Sequence, residues 1–174
     1  MDISELRQLT RKLRRLSVTD DLTGLNNYRF FHERLKYEYL RAVRYAQQLG
    51  CIMVDIDYFK SVNDTHGHTV GDAVLRQFAT LLRSNVRQVD QVGRLGGEEF
   101  LIVLPETSQQ RACEAAEILR NRINRHVFDT VEHKTASFGV TQFREDETLR
   151  SMLDRVDQAL YAAKDNGRDR VEVA

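Results

Sequence analysis

The stretch 89-VDQVGRLGGEEFLIVLP-105 decides the fold prediction. Residues 89–95 and 100–104 are rich in apolar side chains, and they flank the pair Gly96-Gly97. Both residues of a tight two-residue turn can have positive φ, which glycine adopts at little cost. Pro105 cannot donate to a strand ladder and ends the second run. The stretch therefore predicts a β-hairpin with its turn at the two glycines.

Outside the hairpin, the sequence alternates between helical and strand patterns. On the N-terminal side, a helical pattern runs from Asn27 to Gly50, where glycine would stop it. A short apolar run at residues 51–56 predicts a buried strand. A polar loop and a helix that carries apolar residues between Val74 and Val86 are expected to follow.

On the C-terminal side, Thr107 and Gln110 predict a capping box that opens a helix through Ile123. Residues 134–143, 149–164 and 171–173 then read as strand, helix and strand. The central order β-α-β-β-α-β is the ferredoxin-like pattern. We therefore expect an α/β (α+β) fold, with a central, mostly antiparallel sheet flanked by helices.

A leucine repeat marks the N-terminus. Leu6, Leu9, Leu13 and Leu16 are spaced three, four and three residues apart, as in a two-heptad coiled coil. A short amphipathic helix docked on its own domain would show the same pattern, so both interpretations stay open, with the dimer seam favoured. We divide the chain into a helix at residues 1–17 and a domain at 18–174. The start in mid-heptad suggests the output end of a longer signalling protein, with a sensor upstream.

Composition narrows the class of protein. The chain has 174 residues, of which 41% are hydrophobic and 30% charged, with 26 Lys plus Arg against 26 Asp plus Glu. Zero net charge argues against bulk binding of polyanions, so no nucleic-acid partner is expected. The apolar runs fall far short of the roughly 20 residues of a membrane span. The two cysteines, Cys51 and Cys113, show no metal-ligand spacing and no disulfide pattern. A cytoplasmic domain is expected.

Acidic side chains stand where two predicted strands meet the surface. Asp55 and Asp57 close the strand at 51–56, and Glu98 and Glu99 follow the paired glycines. Carboxylates from neighbouring strands would suit Mg²⁺ together with phosphate. Alone, the first pair could cap a helix and the second could be solubilising charge. Taken together, the two pairs favour a metal.

Basic and polar residues lie near these acids in the sequence. Lys60, Lys164 and Arg168 are the cations that a triphosphate would need, although each could be an ordinary surface charge. Asn63 and Asp72 offer an amide and a carboxylate that suit base recognition, or else a turn and a first-turn helix acid. By spacing alone, the pair Arg87 and Asp90 is explained by a surface ion pair.

In combination, these residues resemble the GGDEF-domain family, the diguanylate cyclases, over roughly residues 20–173. The matching blocks are 20-DDLTGL-25, 55-DIDYFKSVND-64, 67-GH-68, 71-GD-72, 94-RLGGEEF-100, 137-SFG-139, 159-ALYAAK-164 and 167-GRDRV-171. The resemblance implies a palm-type nucleotidyl cyclase fold. It also implies the condensation of two GTP molecules into cyclic di-GMP and two pyrophosphates, by two half-sites that face each other in an antiparallel homodimer.

The resemblance also implies a metal site. Asp55, Glu98 and the carbonyl of Ile56 would bind Mg²⁺, or Mn²⁺ in its place, while Glu99 would support a second metal or orient the ligands. Glu98 and Glu99 would thus be the catalytic acids. Whether Glu98 acts as a base or only as a metal ligand stays open.

By the same resemblance, the remaining residues would hold nucleotides. The triphosphate would lie against the backbone of Tyr58 and Phe59 and the side chains of Lys60, Lys164 and Arg168. Asn63 and Asp72 would read guanine. The RxxD pair Arg87 and Asp90 resembles the family's product-inhibitory site for cyclic di-GMP, with Arg41 or Arg44 as candidates for its second arginine.

The alternative is a catalytically weak member that serves as a cyclic di-GMP receptor or a GTP-responsive signalling module. Three departures from the family pattern stand out: Asp169 replaces a usual Asn, Leu95 a common aromatic residue, and Tyr28 a common Arg. Asp169 is expected to compete for Arg168 through an ion pair and so weaken its grip on phosphate.

Overall fold

The computed structural model describes residues 2–174 as one five-stranded sheet with helices on both faces. The elements are α1 Ile3–Val18, α2 Tyr28–Tyr45, β1 Leu49–Ile56, α3 Phe59–His66, α4 His68–Ser84, β2 Gln91–Gly96, β3 Glu99–Pro105, α5 Gln109–Arg125, β4 Ala136–Gln142, α6 Leu149–Asp165 and β5 Val171–Val173. Within that span no helix is both long and apolar enough to cross a membrane.

The sheet order is β2-β3-β1-β4-β5, and only the β4–β5 pair is parallel. The predicted α+β fold with a mostly antiparallel sheet is therefore confirmed. Strand β1 lies at the centre and is buried along its whole length, which explains its unbroken apolar run. Ile52 and Val54 face a core shared with α3, α4 and α5, while Cys51 and Met53 face a second core shared with α2 and α6.

The hairpin prediction is confirmed with a shift in its turn. Gly96 pairs with Glu99, so the two-residue connection is Gly97-Glu98 and not Gly96-Gly97. An irregularity between Arg94 and Gly96 moves the register. Both glycines have positive φ, 152° and 51°. Glycine is therefore needed at both places, but one of them lies in the strand.

Three local boundaries differ from the sequence predictions. The polar loop expected after β1 is the helix α3, because Phe59 and Val62 bury on one side of it. Helix α2 ends at Tyr45 with Ala46 in the left-handed region, whereas Gly50 lies inside β1. Helix α5 is capped by Ser108, which accepts from the Arg111 N–H, and not by Thr107.

Helix α1 presents its leucines to solvent. Leu6, Leu9, Leu13 and Leu16 are each 45% to 60% exposed. The interpretation of a helix docked through these residues on its own domain is therefore wrong. The coiled-coil dimer seam stays a prediction, as does the division of the chain at residue 17.

Arg155 on α6 joins the end of β4 to the loop that follows it and to the C-terminal residue. Its guanidinium donates to both oxygens of Glu147, at 2.5 and 2.7 Å, and to the carbonyls of Gln142 and Ala174 at 2.7 and 3.0 Å. Only 7% of the Glu147 side chain is exposed. These charge-assisted hydrogen bonds lower the pKa of Glu147 below its ordinary value of 4.5.

Glu147→Gln is expected to cost about 2 kcal/mol of unfolding free energy at pH 7. A carboxylate with a lowered pKa stabilises the fold above its ordinary pKa, and this contribution is lost as pH falls below about 4.5. Urea titrations at pH 7 and pH 3.5 should therefore show the gap between wild type and variant shrinking in acid. The exposed neighbour Glu145, changed to Gln, serves as control. A gap equal at both pH values would contradict this role.

Candidate active site at the hairpin edge

The sheet brings the predicted acidic residues together at one end of the neighbouring strands β1 and β3. Asp55, near the end of β1, lies directly opposite Glu99 at the start of β3. Opposed residues of an antiparallel pair project to the same face, so these two carboxylates are neighbours. The Ile56 N–H donates to the Glu98 carbonyl at 3.3 Å, which joins the hairpin tip to the end of β1. Asp55 and Glu99, which are 44 positions apart in sequence, therefore belong to one cluster.

This cluster accumulates negative charge in a partly buried place. Burial raises the pKa of Asp55, and the neighbouring Glu98 and Asp57 add to the rise while Lys164 opposes it. Burial likewise raises the pKa of Glu99, with further contributions from Asp55 and Asp157. In both cases burial disfavours the ionised carboxylate, and the positive charge of Lys164 offsets the rise only in part. The edge is therefore suited to receive a cation.

One protein cation already lies in the cluster. The Lys164 Nζ on α6 is 2.5 Å from Asp55 Oδ2. The sequence placed Lys164 with the phosphate and Asp55 with the metal, so contact between them was not predicted. In this arrangement the ammonium group partly balances the carboxylate that a divalent ion would otherwise neutralise.

A magnesium ion fits these residues only as a partner of a nucleotide. Across residues 2–174 no three His, Cys, Asp or Glu side chains converge closely enough to hold a metal by themselves. Mg²⁺ in phosphate-transferring sites usually takes one or two carboxylates and completes its shell with phosphate oxygens and water. The neighbouring Asp55 and Glu99 match that donor set.

Asp57 has a different environment from Asp55. It is 3% exposed and accepts hydrogen bonds from the Thr135 and Ser137 hydroxyls, both at 2.6 Å, and from the Asp169 N–H at 3.1 Å. Its oxygens are thus engaged within the protein. The sequence paired Asp57 with Asp55, but the contacts separate a structural carboxylate from one that faces the cluster.

The residues predicted for the triphosphate lie on three segments. Tyr58 is the N-cap of α3 with φ 55°, Phe59 is buried behind it, and Lys60 is exposed. Lys164 lies near the end of α6. Arg168 reaches back from the following loop, so that its guanidinium carbon is 4.6 Å from the centre of the Tyr58 ring. Arg168 therefore joins the start of α3, although 110 residues separate it from Tyr58.

The expected ion pair between Asp169 and Arg168 is wrong. The Asp169 carboxylate accepts from Arg120 and Asn124 of α5, both at 3.0 Å. Adjacent residues in this tight loop point in different directions, which leaves Arg168 free of that competition. No motif marked Arg120 or Asn124. The departure at Asp169 was the only sequence signal of this contact.

Asn63 and Asp72 lie where α3 packs against α4. A Cβ added to Gly71 would fall 1.9 Å from Asn63 Oδ1, so glycine is required for this close approach. Asn63 Oδ1 is buried and accepts no hydrogen bond from residues 2–174. A buried acceptor without a donor is costly, and a ligand N–H would satisfy it. Asp72 follows Gly71 on α4 and is half-buried.

Arg87 and Asp90 form the predicted ion pair. Arg87 donates to Asp90 Oδ1 at 2.8 Å, to the Pro105 carbonyl at 2.9 Å and to the Thr107 hydroxyl at 2.8 Å. The side chain of Arg87 remains 54% exposed. It lines a shallow groove that Arg111 also lines.

Neither arginine suggested as the second member of this groove lines it. Arg41 pairs with Glu38 and Glu106, and Arg44 stacks on Tyr45. Arg111, for which the sequence offered no motif, lines the groove instead.

The chain belongs to the GGDEF-domain family. The family described as "Diguanylate cyclase, GGDEF domain" matches residues 17–170. Among its relatives, Response regulator PleD of Caulobacter vibrioides is 41% identical over 163 residues, which are 90% of this chain and 36% of PleD. Diguanylate cyclase DgcM of Escherichia coli is 36% identical over 99% of this chain and 42% of that protein. The chain thus spans less than half the length of either relative.

Solved structures agree with this assignment. The coiled coil and GGDEF domain of DgcB from Caulobacter crescentus, solved in complex with c-di-GMP, superposes with a TM-score of 0.91 at 29% identity. The alignment covers 99% of this chain and 93% of that one. The active GGEEF domain of a diguanylate cyclase from Vibrio cholerae gives a TM-score of 0.81 at 40% identity, over 84% and 96% of the two chains.

Proposed function

We propose that this chain is a diguanylate cyclase that condenses two GTP molecules into cyclic di-GMP and two pyrophosphates. The observation that carries the proposal is the placement of Asp55 opposite Glu99 at the hairpin edge, with Lys164 in contact with Asp55. A partly buried acidic pair with an adjacent cation suits a metal-bound triphosphate. The family and its named relatives support the same activity.

The reaction needs the 3′-hydroxyl of one GTP to attack the α-phosphorus of the other, in line with the departing pyrophosphate. Asp55, Glu98 and the Ile56 carbonyl would hold Mg²⁺, with Glu99 supporting them. The metal would lower the pKa of the attacking hydroxyl and neutralise charge on the leaving group. Lys60, Lys164 and Arg168 would bind the phosphate oxygens and fix their orientation. The Tyr58 and Phe59 backbone at the start of α3 would lie against the same phosphates.

Guanine would be held by Asn63 and Asp72. The buried, unpartnered Asn63 Oδ1 would accept a hydrogen bond from the base. The Asp72 carboxylate would accept from the N1–H and the exocyclic amino group, which adenine does not present together. This recognition would fix one nucleotide in each chain.

Each chain would supply one half-site, so two chains must face each other antiparallel. Holding the two nucleotides in line would supply much of the acceleration, because it replaces an encounter in solution. The exposed leucines of α1 would pair the two chains, and an upstream sensor could act through that pairing.

The proposal is tested by incubating the purified chain with GTP and Mg²⁺ and resolving the nucleotides by chromatography with mass detection. Cyclic di-GMP and pyrophosphate are the expected products. Absence of product at high protein concentration, after removal of bound nucleotide, would overturn the cyclase proposal. Binding of cyclic di-GMP by such an inactive chain would then identify a receptor.

We further propose that the groove at Arg87, Asp90 and Arg111 binds cyclic di-GMP and inhibits the enzyme. Half of the Arg87 side chain is exposed while its other side is anchored to Asp90, so the guanidinium is held in place for a ligand. Arginine binds phosphate and base edges through paired N–H groups.

Arg87→Ala is expected to raise the cyclic di-GMP concentration for half-inhibition about tenfold or more, since it removes charge-assisted hydrogen bonds to the product. Initial rates at increasing added product measure this, with the exposed Arg122→Ala on α5 as control. The rate without added product should stay close to wild type. An unchanged inhibition curve in a folded Arg87→Ala protein would count against the groove.

A further inference from the structure

Arg168 and Tyr58 form a stacked pair from two separate loops. The guanidinium carbon of Arg168 is 4.6 Å from the Tyr58 ring centre, within the range of a favourable cation–π contact. Both residues have left-handed backbones, with φ 64° and 55°. Such conformations are costly for bulky residues and persist where surrounding contacts impose them.

Asp57 supplies the contact that joins the two loops. It directly precedes Tyr58, and its carboxylate accepts from the N–H of Asp169, which directly follows Arg168. The same carboxylate is fastened to Thr135 and Ser137. One buried group therefore holds the backbone next to both members of the stack.

The loop of Arg168 is anchored on its other side as well. The Asp169 side chain accepts from Arg120 and Asn124 of α5, and the Arg168 N–H donates to the Ala163 carbonyl at 2.9 Å. The backbone beside Arg168 is thus fixed from both directions. The long side chain itself has the Tyr58 ring as its contact.

We propose that the side chain of Tyr58 is a positioning residue for Arg168. The guanidinium carbon lies over the Tyr58 ring, and residues 2–174 offer the guanidinium no ion pair, so its N–H groups remain for ligand oxygens. Tyr58 is itself 63% exposed, so its ring is not required by the core. Stacking lowers the conformational freedom that Arg168 would lose on binding a phosphate. This inference rests on the proposed function, which places Arg168 at the triphosphate.

The test is the affinity for 3′-deoxy-GTP with Mg²⁺, because this nucleotide lacks the attacking hydroxyl and binds without turnover. Tyr58→Leu is expected to raise the dissociation constant about 3- to 10-fold, as for a cation–π contact. Tyr58→Phe keeps the ring and should retain wild-type affinity. Tyr45→Leu is the matched control, since Tyr45 is 58% exposed and stacks with Arg44 away from the site.

A double-mutant cycle then separates the two proposals. If Tyr58 acts through Arg168, Tyr58→Leu has no further effect in an Arg168→Ala background. Equal weakening by Tyr58→Leu in both backgrounds would overturn the positioning role, and so would wild-type affinity of Tyr58→Leu alongside a weakened Arg168→Ala. Unchanged affinity of Arg168→Ala would instead remove Arg168 from the triphosphate site. That result would contradict the proposed function at this residue, and the inference with it.

Discussion

Glu98→Gln is expected to lower cyclic di-GMP formation about 1000-fold at saturating GTP and Mg²⁺. The change replaces a carboxylate oxygen with a neutral amide at the hairpin tip. It thereby removes a charge proposed to hold the metal, which is worth several kcal/mol in the transition state. The residue is half-exposed, so the fold should remain intact.

Initial rates measured by chromatography, with circular dichroism spectra of both proteins, test this expectation. Glu33→Gln is a suitable control, because Glu33 is a surface acid on α2 whose side chain is 67% exposed. A folded Glu98→Gln protein that retains a tenth or more of the wild-type rate would contradict the proposed role of Glu98 as a metal ligand. Such a result would leave Asp55 and Glu99 as the carboxylates to examine next.

Gly139→Ala is expected to cost about 3 kcal/mol or more of unfolding free energy. A Cβ on residue 139 would fall 2.4 Å from both the Leu160 nitrogen and the Val156 carbonyl oxygen. Backbone atoms inside a helix cannot rotate away, so α6 would have to move off β4. Lys164, which lies on the next turn of α6, would then shift relative to Asp55, and GTP turnover should fall as well.

Urea unfolding measures the loss of stability, with Gly50→Ala as the matched strand glycine. At residue 50 the added carbon would lie 3.2 Å from the nearest atom, the Cβ of Ala112, which needs only a small adjustment. That variant is expected to cost about 1 kcal/mol or less. Equal losses for the two variants would show that the close contact of α6 with β4 is not decisive.

The local pattern of apolar and polar residues was sufficient to predict most of the fold. The alternation of apolar runs predicted the central strand β1, the β2–β3 hairpin and the long helices, because periodicity records which face is buried. The same pattern was insufficient to predict where individual helices and strands begin and end. Helix α3 was missed because an eight-residue helix with only two buried residues, Phe59 and Val62, is too short to show a clear period.

The family motifs predicted which residues gather at the active edge, and the sheet register places Asp55 and Glu99 side by side. They did not predict contacts that span the chain. Arg111 at the groove and Arg120 behind the C-terminal loop lie in no motif, since their positions depend on how α5 packs.

By itself, the sequence determined the order of helices and strands and the membership of the GGDEF family. Both follow from local features, because the spacing of apolar residues indicates the elements and short motifs indicate the family. The tertiary structure alone decided what each carboxylate does. Asp55 is the next-to-last residue of β1 and Asp57 directly follows the strand, and their sequence surroundings are nearly alike. Asp57 meets Ser137 and Asp169, which lie 80 and 112 residues away, and Asp55 meets Glu99 and Lys164. Only folding brings those partners together, and the partners determine whether a carboxylate is satisfied within the protein or left for a ligand.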